Sequence, residues 1–285
     1  MAAMAFRHRS ARPGLPDGWE DLLEARSAQW RLLEEADRAR LGELADWFLR
    51  TKRVAAAHGF ELTDEVRTLL AGHACLLILG LDESWYDAVG TIIVRSGSMT
   101  QRANSAGPIS GTVNGEPMDV DGEAHHDDGP VMVSWRAARR EAGQMRNGRD
   151  VVLHEMAHKI DMLDGVLDGT PHLAGDDDID RWVEVCTRRY HELRTGTAGR
   201  ILRDYGGTNP GEFFSVVTET FFTRGVDLAE QMPDLYEVFA AFYRQDPAAR
   251  VRRYIDRVVA ANPAAAAAVA NRPRIVVRYA KPAVN

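Results

Sequence analysis

Apolar residues recur at helical spacing along most of the chain, and β-branched runs interrupt that rhythm in only a few places. Trp19, Leu22 and Leu23 predict a first helix opening at Asp17 or Gly18. Leu41, Leu44, Trp47, Phe48 and Val54 predict a second over roughly residues 36–57, with Gly59 behind it as a C′ glycine. Thr63 suits the N-cap of a third, which runs to Leu79 and stops at Gly80. Leu69, Leu70, Leu76, Leu77 and Ile78 make it the most buried candidate of the N-terminal half. Residues 90–95, GTIIVR, have strand composition. Val131, Val133 and Trp135 alternate with Met132 and Ser134 in a second strand over residues 130–135. Further helices are predicted over residues 136–145, from Val151 onward, and over 179–194, 210–223, 234–245 and 247–260. Residues 274–279, RIVVRY, read as a late strand or a disordered end. The sum is an α+β protein, mostly helical, with a small mixed sheet.

Two stretches lack either rhythm. Residues 1–15 read as a disordered basic tail. Residues 96–129 are rich in Gly, Ser, Asp and Asn, which predicts a long surface excursion with a hairpin around Asn114-Gly115. The expected organisation is one domain over residues 16–261, helical over 16–89, with the chemistry in 90–261 and a tail over 262–285.

Composition narrows the function classes. A chain of 285 residues can bury a sizeable core. Its net charge of −7 argues for solubility and against direct contact with nucleic acid. Of the two cysteines, Cys75 lies in an apolar run and reads as a buried free thiol. The basic N-terminal stretch has no apolar core long enough for a signal peptide. The longest apolar stretch, residues 69–81, is too short to span a bilayer and carries His73. A cytoplasmic protein is the default expectation, with no membrane partner.

The chemistry concentrates in VVLHEMAHKIDMLDG, residues 151–165. His154 and His158 are spaced i, i+4, so a helix puts both imidazoles on one face, within reach of one ion. Glu155 sits beside the first, placed to handle the proton of a water on that ion. Asp150 can cap the helix, and no proline interrupts it. A helix with two surface histidines and a solvated Glu is the bland alternative. Two imidazoles alone hold zinc poorly, so a third ligand is needed. A third ligand from the same segment would call for Gly at 161 and His at 164, where this chain has Asp161 and Asp164. The other route is a later helix. There Asn209 suits an N-cap, Pro210 fits N1, and Glu212, Val216 and Glu219 share one stripe. A capping box with Asn209 accounts for Glu212, but not for a second acid on the same face or for Tyr205 upstream.

The segments VVLHEMAHKIDMLDGVLDGTP and YGGTNPGEFFSVVTETFF together resemble the Mlc titration factor A family of zinc peptidases. LPDGWEDLL, GFELTDEVRTLLAGHACLLILGL and VMVSW fit it as well, so the resemblance spans roughly residues 15 to 260. The tyrosine-to-EFF block is also similar to that of the anthrax lethal factor catalytic domain, which implies a zincin-like, gluzincin-type fold. The resemblance implies one Zn2+ held by His154, His158 and Glu212, with Glu155 as catalytic base. It implies that Tyr205, seven residues before Glu212, stabilises the transition state. Glu219 has no ligand role in the family and is read as a supporting acid. Met156 stands where Phe is more usual, and Lys159 follows the second His.

The implied activity is metal-dependent hydrolysis of peptides or proteins, aminopeptidase-like action included. The alternative is a non-catalytic zinc-containing protein that sequesters a transcriptional repressor, since the family name reflects binding to the glucose-responsive repressor Mlc. A structural zinc domain is disfavoured, because such sites are closed by four Cys or His ligands. Four lesser readings complete the list. Asp161 either bonds a ligand imidazole or faces solvent. The strand at 131–135 is either an edge for an extended peptide or an interior strand. His125-His126 with Asp127-Asp128 is a weak second metal candidate in a polar loop. Cys186 and His191 share a helix at spacing unsuited to zinc.

Overall fold

The computed structural model describes residues 12–262, apart from 58, 98, 102–117, 121, 125–128, 146 and 174. The chain enters through α1 (Trp19–Arg26), α2 (Ala28–Leu32) and α3 (Glu35–Thr51). Strand β1 (Arg53–Ala56) and helix α4 (Asp64–Leu77) follow. Next come β2 (Thr91–Arg95), β3 (Met99–Gln101), β4 (Met118–Val120), β5 (Gly122–Ala124) and β6 (Val131–Ser134). The rest is helical: α5 (Trp135–Ala142), α6 (Val151–Asp161), α7 (Asp176–Arg194), α8 (Pro210–Thr223), α9 (Gly225–Gln231), α10 (Pro233–Tyr243) and α11 (Pro247–Ala261). This is the mostly helical α+β architecture that the periodicity predicts.

The main sheet has the order β1-β2-β6-β5, with β1, β2 and β6 parallel and β5 antiparallel to β6. A separate antiparallel pair joins β3 to β4. The strand predicted over 130–135 is therefore interior, lying between β2 and β5, which corrects the edge reading. Trp135 leaves it to open α5, capped by Ser134, whose hydroxyl accepts from Ala137 N.

The helix predicted over 36–57 is two elements. Backbone at Lys52 turns extended, and Arg53 N donates to Gly90 O as β1 pairs with β2, Val54 opposite Ile92. Val54 has helical spacing but strand conformation, because a long-range partner decides the matter. Gly59, at φ 71, turns the chain after this strand and does not close a helix. Helix α7 opens at Asp176, three residues before the predicted start, with Asp176 and Asp178 in its first turn. Negative charge there complements the exposed amides. The short α2 and α9 are not evident from periodicity. Residues 1–11, the Asn114-Gly115 hairpin, the His125–Asp128 cluster and residues 263–285 with their late strand lie outside the described residues.

One connected apolar core runs from Leu23 to Ala248. Its densest part surrounds α8, which is buried from Gly211 to Thr223. Phe214 and Phe221 of α8 meet Phe239 and Tyr243 of α10, and Trp182 of α7 stacks on Phe239 at 4.9 Å. That aromatic bed presses α8 against α6, which is itself buried along its whole length and also packs on β5, β6 and α4. The two helices that carry the candidate chemistry thus form the centre of the molecule.

Candidate metal centre

Helix α6 starts where the sequence predicts. Asp150 Oδ1 accepts from Val152 N at 3.1 Å and Leu153 N at 3.2 Å. Glu141 Oε2 takes Val151 N at 3.0 Å, so the first-turn amides are satisfied by two carboxylates. His154, Glu155 and His158 are all buried, which removes the reading of surface histidines and a solvated acid.

Helix α8 starts with the same economy. Pro210 occupies the first turn, and Asn209 Oδ1 accepts from Glu212 N at 2.9 Å. The capping role assigned to Asn209 is real, but the Glu212 side chain turns inward. Its Oε2 stands 3.1 Å from His154 Nε2 and 3.5 Å from His158 Nε2. Donor atoms of these three residues lie within 4.8 Å of one another, the grouping among the described residues that could hold a metal ion. Gly211 lets Leu167 pack closely on the first turn of α8, since a Cβ there would stand 2.8 Å from Leu167 Cγ.

The outer ring nitrogens are also engaged. His154 Nδ1 lies 3.1 Å from Glu219 Oε2, and His158 Nδ1 lies 3.1 Å from Ser215 Oγ. A proton on His154 Nδ1 gives Glu219 its hydrogen bond and turns the Nε2 lone pair inward, the arrangement that metal-binding histidines adopt. Glu219 is held in turn by Asp150 N at 2.9 Å on Oε1 and by the Arg203 guanidinium on Oε2.

Electrostatics fit a cation at the centre. Burial alone would push His154 down, but the Glu219 and Glu212 carboxylates outweigh it and hold the ring well above the usual imidazole range. Burial would raise Glu212, yet the two imidazoles hold it well below the usual carboxylate range. A buried carboxylate between two ring nitrogens demands positive charge, from extra ring protons or from a metal ion.

Tyr205, in a short helical turn at Asp204–Gly207, donates its hydroxyl to Glu212 Oε1 at 3.0 Å. Tyr205 is 38% exposed, yet desolvation of its hydroxyl, then the adjoining Glu212 carboxylate, raises the phenol, so the proton stays on the ring oxygen. Asp164 is exposed and outside the grouping. Asp161 matches neither of its expected roles. It is buried, and its Oδ2 accepts from Gly169 N at 2.9 Å, not from an imidazole. Cys75 and Cys186 are free buried thiols, and burial pushes both above the usual range.

Ser215 was legible, lying three residues after Glu212 on the same stripe of α8, but sequence reading passed over it. Arg203, which binds Glu219, carries no local signal for that contact.

Comparison with known proteins gives the geometry its context. The chain is 32% identical over 236 residues to the uncharacterized protein slr2042 of Synechocystis, spanning 82% of this chain and 86% of that one. It is 29% identical over 226 residues to Mlc titration factor A of Salmonella typhi, spanning 77% and 83% respectively. The model of the glucose-regulated metallo-peptidase M90 family matches residues 3–244. With that match covering most of its length, the chain belongs to the M90 family of metallopeptidases.

Proposed function

We propose that this protein is a zinc-dependent peptidase in which His154, His158 and Glu212 hold one Zn2+. Membership of a metallopeptidase family implies a metal cofactor and a peptide substrate. The observation that carries the finer reading is the convergence of both Nε2 atoms on Glu212 Oε2, at 3.1 and 3.5 Å. Ligand atoms about 2.1 Å from a tetrahedral ion stand about 3.4 Å apart. Two imidazoles and one carboxylate, without thiolate, are the donor set of a catalytic zinc that keeps a position open. A cytoplasmic location belongs to this reading; among the described residues no helix is long and apolar enough to cross a membrane.

When bound, the ion supplies Lewis acidity, which acidifies a water and polarises the substrate carbonyl. The remaining work falls to the protein's own groups. The Glu155 carboxylate, buried next to His154, takes the proton of the attacking water and passes it to the leaving amine. The Tyr205 hydroxyl, protonated and already directed at Glu212, donates to the oxygen that gains charge at the reacting carbonyl.

The test is metal analysis and peptide-library profiling of the wild type beside Glu155→Gln. Both are expected to hold one zinc, with cleavage reduced by about 10²–10⁴-fold in the variant. Cleavage at the wild-type rate in Glu155→Gln would remove the base role. The profile also decides between aminopeptidase-like and internal cleavage.

A second reading is favoured by the name of the Salmonella relative, Mlc titration factor A. In it the zinc-containing protein sequesters a transcriptional repressor of the Mlc kind. A purified wild type that holds zinc, binds such a repressor and cleaves no peptide would favour it.

A further inference from the structure

Ser27, His73 and Asp150 form a chain that has the outline of a hydrolytic triad. Ser27 Oγ lies 2.9 Å from His73 Nε2, and His73 Nδ1 lies 2.6 Å from Asp150 Oδ2. It is not a second active site. Each residue is only 2% exposed, and Ser27 Oγ is also the N-cap acceptor for Trp30 N. No substrate carbonyl can reach that oxygen.

The chain continues instead toward the metal centre. Asp150 spends Oδ1 on capping α6 and gives Oδ2 to His73, so the His73 ring fixes how the carboxylate is rotated. The main-chain N–H of Asp150 donates to Glu219 Oε1, and Glu219 Oε2 faces His154 Nδ1. Four hydrogen bonds, all buried, thus lead from the α1–α2 junction through α4 to the first imidazole. We propose that Ser27, His73 and Asp150 are positioning residues that act through Glu219 to set the orientation and tautomer of His154. Supporting groups of this kind commonly change metal affinity about 10–100-fold. The inference rests on reading His154 as a metal ligand.

The test compares the full chain with His73→Leu, His73→Asn and Leu70→Ala by competition for Zn2+ against a chromogenic chelator, with Tm measured alongside. Leu70 is buried in the same helix and has no polar side-chain atom to join the hydrogen bonds, so Leu70→Ala controls for loss of packing. His73→Leu is expected to raise the zinc dissociation constant about tenfold or more. His73→Asn, which restores a donor toward Asp150, should recover most of that, and Leu70→Ala should leave the constant unchanged despite a lower Tm. The visible spectrum of the Co2+-loaded protein should shift in His73→Leu alone. If His73→Leu does not fold, Ser27→Ala serves, with an expected rise of about tenfold, the lower end of that range. Wild-type affinity in His73→Leu, or a loss that Leu70→Ala matches at equal Tm, would overturn the inference; so would an unchanged constant in Ser27→Ala. A wild type that binds no zinc would overturn the reading of the site and this inference with it, an outcome separable from the others.

Discussion

Asp161 lies within a turn of His158, and burial lifts its carboxyl from 3.8 to about 7. The folded metal-free protein therefore takes up a proton that the unfolded chain releases in that interval. The stability this confers is complete below the unfolded value and is lost as pH rises through about 7. Urea unfolding of the metal-free protein should show wild type losing more stability than Asp161→Asn between pH 5 and pH 8. An identical loss in both would show that the carboxyl is not displaced. The HExxH spacing told in advance that two imidazoles share a face. It could not tell that Asp161 would accept from Gly169 N, or that Glu219, held by Arg203 and Asp150, would meet His154. The first depends on how the loop after α6 folds back, the second on segments 69 residues apart, and a residue-by-residue reading has no access to either.

At the scale of elements, local chemistry set the helix starts. Asp150 for α6, Thr63 for α4 and Asn209-Pro210 for α8 were readable because a cap needs only its own few residues. Strand β1 was unreadable for the opposite reason: three of its four residues, Val54, Ala55 and Ala56, sit in an alanine-rich run, and its pairing with β2 is what makes it a strand. The cap of α8 bears on the site, since it fixes the turn that presents Glu212. Asn209→Ala should cost about 1 kcal/mol in urea unfolding. It should also weaken zinc binding, because Glu212 is the third residue of that helix. A full loss of stability without change in zinc affinity would show that the cap and the carboxylate are independent.

For the whole molecule, the arrangement of helices explains why a metal ion would matter to folding. The candidate ligands come from α6 and α8, whose contact is the centre of the core. A ligand that binds only the folded state stabilises it by mass action: at about a hundred times its dissociation constant, zinc adds about 2.7 kcal/mol, or on the order of 5 °C in Tm. Removing metal with a chelator should lower Tm by that order, and adding zinc back should restore it. A Tm indifferent to chelator would mean that no ion bridges the two helices. The same central placement leaves the long segment 96–129, largely outside the described residues, as the part of the architecture that periodicity addressed least.

The most direct test is an anomalous-scattering map at the zinc edge from crystals of the zinc-loaded protein. The account predicts one peak about 2.1 Å from His154 Nε2, His158 Nε2 and a Glu212 carboxylate oxygen, with a further position open to solvent. A peak elsewhere, or none among these three side chains in crystals grown with zinc, would contradict it.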